Sequence, residues 1–148
     1  MKIVRDIMEE RQKEICSIAP DALVFDALKL MAQRNIGALL VVEGGRIVGI
    51  MTERDYARKV IIHGRSSKST TVRDIMTPRV CVVEPHNTIE ECMALMTRKQ
   101  IRHLPVMESG RAIGIISIRD VVRAVIAEKD FNLDALVKVI AGSEGEEE

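Results

Sequence analysis

Thr52 and Asp55 stand three residues apart, and Ser117 and Asp120 repeat the pair 65 residues further on. Each pair closes an apolar, β-branched run and opens a stretch of helical spacing. The two stretches are Gly49-Ile50-Met51-Thr52-Glu53-Arg54-Asp55 and Gly114-Ile115-Ile116-Ser117-Ile118-Arg119-Asp120. A hydroxyl and a carboxylate so placed at a strand-to-helix junction can do two things. They can cap the helix reciprocally, each satisfying a backbone N–H of the other. They can also serve a ligand, because a helix start offers N–H groups and a positive dipole end to an anion, while the carboxylate accepts from hydroxyl donors. Signatures of other chemistry are missing from the sequence: there is no nucleophile–base pair, no metal-ligand cluster and no P-loop.

Stepping outward, 148 residues suit one compact domain or two intimately packed halves. Apolar residues at 47% can build a core, and charged residues at 30% can cover it. The three aromatics are Phe25, Tyr56 and Phe131, so the core must be aliphatic and there is no stacking platform for single-stranded nucleic acid. Lys and Arg balance Asp and Glu at 22 each, so no global positive field recruits DNA or RNA. No apolar run approaches a membrane span, and Met1 to Asp6 lacks the apolar stretch of a signal peptide. Three cysteines without a CxxC pattern point to reduced thiols and a cytoplasmic setting.

The junctions belong to a longer duplication. Val4-Arg5-Asp6-Ile7-Met8 returns letter for letter as Val72-Arg73-Asp74-Ile75-Met76, at an offset of 68. From Pro20 and Pro85 onward the offset is 65. Leu30 and Leu95, Met31 and Met96, Ile36 and Ile101, Leu39 and Leu104, and Val41 and Val106 are identical pairs. The repeats predict domain limits of 1–64 and 72–130, with a linker over 65–71. A short helix (Phe131 to Ile140) and an acidic tail follow over 131–148.

Each copy reads as β-α-β-β-α. A short strand comes first, Ile15 to Ile18 or Val80 to Val83. A helix follows with apolar positions Val24, Ala27, Leu28 and Met31, or Ile89, Cys92, Met93 and Met96. Thr88 with Glu91 predicts a capping box; Leu23 replaces Thr88 in the first copy, so that helix should start less sharply. Hairpins then turn at Gly44-Gly45 and at Glu108-Ser109-Gly110. The last helix begins at Thr52 or Ser117, with Ala57, Val60 and Ile61, or Val122, Val125 and Ile126, expected on one face.

Two β-α-β-β-α units in tandem, each ending in Gly-aliphatic-x-[Thr/Ser]-x-x-Asp, resemble the CBS domain, and the pair resembles a Bateman module. The likeness runs from about Ile3 to Ala127. The fold it implies is α/β, a pseudo-symmetric pair with small sheets flanked by helices. It implies a non-catalytic regulatory module that binds an adenosine nucleotide such as AMP, ADP, ATP or NAD in clefts between the repeats. It also implies a homodimer and a regulated partner protein, with no catalytic cofactor, no metal and no membrane. Asp55 and Asp120 would accept from ribose hydroxyls, beside Thr52 and Ser117. Carried over by position, the Asp55 cleft uses Ile50, Thr52 and Arg54 with Val80, Cys81, Ile101 and Arg102. The Asp120 cleft uses Ile115, Ser117 and Arg119 with Ile15, Cys16, Ile36 and Gly37.

Arg102-His103 is the main asymmetry, since Gly37-Ala38 replaces it in the first copy. In an extended segment the two side chains point opposite ways, so they can face different clefts, and the forked guanidinium of Arg102 suits phosphate. The alternative is structural, with Arg102 paired to a surface carboxylate and His103 partly buried and hydrogen-bonded. Cys16 and Cys81 occupy equivalent positions and read as small packing residues, as does Cys92. A module that only dimerises or docks a partner, with no obligatory ligand, remains the alternative function.

Overall fold

The computed structural model describes residues 2–9, 15–78, 80–127 and 137–141. The chain forms two compact units, one of Cys16–Val80 and one joining Met1–Ile15 to Cys81–Glu148.

In the Cys16–Val80 unit, strands β2 (Ala38–Glu43) and β3 (Arg46–Thr52) form an antiparallel hairpin. Gly44 and Gly45 turn it at φ of 59° and 78°, the left-handed geometry whose twist matches the strands. β1 (Ser17–Ile18) adds in parallel against Leu40 and Val41. Helix α2 (Val24–Arg34) sends Val24, Ala27 and Met31 onto Leu39, Val41 and Met51 of that sheet. Helix α3 (Glu53–Tyr56) follows β3 directly and continues as a π-helical turn over Ala57–Ile61. Helix α4 (Val72–Ile75) completes the core with Val72 and Ile75, both fully buried.

The other unit repeats this plan with α5 (Ile89–Lys99), the hairpin of β4 (His103–Glu108) and β5 (Arg111–Ser117), and α6 (Ile118–Ala127). Both hairpins carry a bulge at the same place, after Val41 and after Val106. Ile89, Cys92, Met93 and Met96 are all buried, as the spacing predicts. Helix α1 (Val4–Glu9) supplies Val4 and Ile7 to this core, and Val139 of the helical stretch 137–141 joins them. The rest of the expected Phe131–Ile140 helix and the acidic tail lie outside the described residues.

The two Val-Arg-Asp-Ile-Met helices therefore do not pack with the repeat that follows each of them in sequence. Backbone bonding explains why. Val72 and Arg73 N–H groups donate to the Ala22 and Pro20 carbonyls, each at 2.8 Å. Val4 and Arg5 donate to Asn87 and Pro85 in the same way, at 2.8 and 2.9 Å. Arg73 with Glu43 and Arg5 with Glu108 repeat one ion pair, at 2.7 and 2.6 Å. Those carboxylates hold both guanidinium groups above their ordinary values.

The capping expectations hold in detail. Thr88 and Glu91 form the reciprocal box, and the Thr88 N–H, then Asn87, hold the Glu91 carboxyl below its ordinary range. Leu23 offers α2 no side-chain cap. Its place is taken by the segment read as linker: Thr70 and Ser67 carbonyls accept from Val24 and Phe25 N–H groups at 2.8 and 3.0 Å.

Three expectations need correction. Val80 to Val83 is not a strand; only Val83 pairs, with Val106. In the first copy Leu40 N–H donates to the Cys16 carbonyl at 3.3 Å, but its counterpart is Pro105, which has no N–H to give Cys81. Second, Ile15 and Cys16 lie before β1 rather than in it. Third, the apolar positions of the last helices do not share one environment: Val60, Val121, Ala124 and Val125 are buried, while Ala57 is exposed and Ile61 and Ile126 are 56% and 69% exposed.

Candidate functional site

At the first junction the chain leaves β3 at Thr52 in an extended conformation and enters α3. The Asp55 N–H donates to Thr52 Oγ1 at 3.2 Å, and Asp55 Oδ2 accepts from the Thr52 N–H at 2.9 Å. The Thr52 hydroxyl donates to the same Oδ2 at 3.1 Å. The other oxygen, Oδ1, lies 3.0 Å from Lys59 Nζ and 3.5 Å from the Thr77 hydroxyl. Asp55 is 8% exposed, so its charge is compensated where water is scarce.

The second junction has the same internal geometry. The Ser117 N–H donates to Asp120 Oδ2 at 2.7 Å, its hydroxyl donates there at 3.1 Å, and the Asp120 N–H donates to Ser117 Oγ at 3.3 Å. Both pairs therefore act as caps. The cap also bears on the idea that the first-turn N–H groups await an anion. Glu53 N–H donates to the Gly37 carbonyl at 3.1 Å and Ile118 N–H to the Arg102 carbonyl at 2.8 Å, while Asp55 and Asp120 N–H groups are held by hydroxyls. These junctions present a fixed carboxylate and a fixed hydroxyl, with the Glu53, Asp55, Ile118 and Asp120 N–H groups already engaged.

The remaining candidates divide between the units. Cys16, Ile36, Gly37, Ile50, Thr52, Arg54, Asp55 and Val80 belong to the Cys16–Val80 unit. There, Gly37 meets the junction through its carbonyl, and Ile50 pairs with Thr77 just ahead of Thr52. Ile15, Cys81, Ile101, Arg102, His103, Ile115, Ser117, Arg119 and Asp120 belong to the other unit. There, Arg102 reaches its own repeat's junction through its carbonyl, and His103 opens β4 opposite Ser117. Cys16 and Cys81 are partly buried, and Cys92 is fully buried, which pushes its thiol up to about 12, with Glu91 adding to the rise.

Lys59 and Thr77 are contacts of Asp55 that the motif did not include. Lys59 lies four residues past Asp55, a spacing at which helical charges meet, and it was readable on that ground. Thr77 was not, because it comes from beyond α4. Among the described residues no group of three or more His, Cys, Asp or Glu is placed to hold a metal ion. None of their helices is long and apolar enough to cross a membrane.

Two small sheets flanked by helices, each hairpin ending in the same hydroxyl–carboxylate junction, define a tandem pair of like units. The CBS-domain family model matches residues 4–62 and 72–127, and the chain belongs to that family. It is similar to the CBS domain-containing protein CBSX3, mitochondrial, of Arabidopsis thaliana, with 44% identity covering 94% of this chain and 72% of that one. A protein with CBS domains from Burkholderia ambifaria MC40-6 is 50% identical, with a TM-score of 0.83, covering 89% of this chain and 99% of its own. The CBS domain pair of protein MJ0100, solved with 5′-methylthioadenosine and S-adenosyl-L-methionine, is 26% identical, with a TM-score of 0.74, covering 83% of this chain and 94% of its own.

Proposed function

We propose that this chain is a non-catalytic sensor of an adenosine-containing molecule. AMP, ADP, ATP and NAD are the first candidates, with S-adenosylmethionine beside them because the MJ0100 pair binds it. The observation that carries the reading is the doubled junction. Two carboxylates, each held by a hydroxyl three residues before it, are the acceptors this reading assigns to vicinal hydroxyls such as those of ribose. The roles that the family pattern gives to Ile15, Cys16, Ile36, Gly37, Val80, Cys81, Ile101, Arg102 and His103, around the base and phosphates, are part of the same proposal.

Binding signals only if the ligand prefers one conformation of the pair over another. A regulated partner protein, a homodimer and a cytoplasmic site of action complete the reading. The exposed Ile61, Ile62 and Ile126 support the homodimer. Light scattering at the monomer mass of 16.5 kDa at micromolar concentration would remove it.

A second reading is favoured by one observation: both carboxylates already cap their helices, and a cap needs no ligand. On that reading the pair only dimerises or docks a partner. A thermal-shift screen against AMP, ADP, ATP, NAD and S-adenosylmethionine separates the two. A ligand at about 100 times its dissociation constant adds roughly 2.7 kcal/mol to a protein that binds it only when folded. No shift with any of the five supports the interaction module.

A further inference from the structure

Lys59 lies one helical turn beyond Asp55. Its ammonium is 3.0 Å from Asp55 Oδ1 and also donates to the Ile75 carbonyl at 2.8 Å. It thus ties the helix after the junction to the end of α4, within one unit. A carboxylate has about four acceptor positions. On Asp55, Oδ2 takes the Thr52 N–H and hydroxyl, and Oδ1 takes Lys59 and, at 3.5 Å, Thr77. Two incoming hydroxyls must therefore displace a donor, and Oδ1 is the oxygen whose donors come from beyond the capping pair.

The second copy is built differently at this point. The residue equivalent to Lys59 is Ala124, which is 5% exposed and carries no charge. The backbone differs too. Ala57–Ile61 is π-helical around Lys59, whereas α6 is α-helical throughout Ile118–Ala127. Widened turns of this kind recur at functional sites.

The geometry points to Lys59 as a built-in competitor for ligand hydroxyls at Asp55, one that sets the selectivity of that position. This rests on the reading of Asp55 as a ribose acceptor. A neutral nucleoside must dislodge the ammonium from the carboxylate and can offer it only neutral hydroxyl acceptors in return. A ligand carrying a phosphate can accept the displaced ammonium. The Asp55 position therefore disfavours adenosine relative to its phosphorylated forms. Adenosine binding there strengthens modestly with salt, because a partly buried contact pair is screened less than an exposed one.

The test is calorimetric titration of adenosine into an Asp120→Ala background, so that the Asp55 position is read alone. Lys59→Met and Lys59→Arg are compared with Lys59, at about 0.05 M and about 0.5 M salt. Lys59→Met should tighten adenosine by about twofold to fivefold, the scale of an ion pair with one partly exposed partner, and flatten the modest salt dependence. Lys59→Arg, which keeps the charge, should stay near the parent on both measures. The same comparison in the chain with Asp120 intact, fitted to two sites, guards against an unstable background.

Unchanged or weaker adenosine binding in Lys59→Met overturns the inference. If Asp55→Ala abolishes this binding while Lys59→Met leaves it unchanged, only the role of Lys59 fails. If Asp55→Ala leaves it unchanged, or if neither Lys59 nor Lys59→Met binds adenosine, the ribose reading of Asp55 fails and the inference falls with it.

Discussion

The Ile50 N–H donates to the Thr77 carbonyl at 3.0 Å, and the Thr77 N–H returns to the Ile50 carbonyl at 2.9 Å. This isolated pair fastens the stretch after α4 to β3 two residues ahead of Thr52. It brings the Thr77 hydroxyl to Asp55, so the packing of α4 and the shape of the first junction depend on each other.

Gly49 is what lets the two segments approach. A Cβ there would sit 2.7 Å from Met76 Sδ and 2.9 Å from the Thr77 carbonyl oxygen. The thioether can swing away, but the carbonyl is half of the pair with Ile50. Gly49→Ala should cost roughly 1–3 kcal/mol, the scale of overpacking in a dense core. Denaturant unfolding checks this, and stability within a few tenths of the parent would show that the segment yields freely.

The exchange of leading helices has its own signature. Ile7 is 5% exposed and packs in the core of α5, β4 and α6. Ile7→Ala should cost about 2–5 kcal/mol as a large-to-small core change. Its local effect should appear as faster hydrogen exchange in α5 and the β4–β5 hairpin, not in the β2–β3 hairpin nearer in sequence. Faster exchange centred on β2 and β3 would contradict the assignment of α1.

Much of the fold was legible because its signals are local and doubled. The hairpins announce themselves by glycines at positive φ, and α5 by its capping box and apolar spacing. What escaped were consequences of pairing between distant segments. Val80 to Val83 has strand composition, but its partner strand carries Pro105 where the first copy has Leu40. Ser67 and Thr70 look like linker until their carbonyls are found capping α2. Ile61 and Ile126 match the helical period, yet the core is already filled by Val60 and by Val121, Ala124 and Val125. At the site, the motif showed Thr52 and Asp55 but gave no hint of Thr77, which is set by the fold.

The three thiols should separate by reactivity. Burial pushes the Cys92 thiol up to about 12, so at pH 8 almost none of it is thiolate. An alkylating reagent should modify the partly buried Cys16 and Cys81 in the native protein and reach Cys92 only on unfolding. Peptide mass mapping reads this directly, and early Cys92 modification would contradict its packing.

Arg102 is the proposed phosphate contact. If its guanidinium meets phosphate, Arg102→Ala weakens AMP and leaves adenosine as it was, because forked donors of this kind are spent on anionic oxygens. Equal loss of both ligands would make its role structural. Titrating the two ligands into one variant decides it.

The most direct test of the central claim is calorimetric titration of AMP into the unaltered protein, Asp55→Ala and Asp120→Ala. Each variant is first shown by thermal melting to remain folded. A carboxylate that accepts from ribose hydroxyls contributes a charged hydrogen bond of roughly 1.5–3 kcal/mol, so each variant should lose about tenfold to hundredfold in affinity at its own site. The losses should fall on different sites, leaving one intact in each variant. AMP binding unchanged in both variants would contradict the account and leave Thr52–Asp55 and Ser117–Asp120 as helix caps alone.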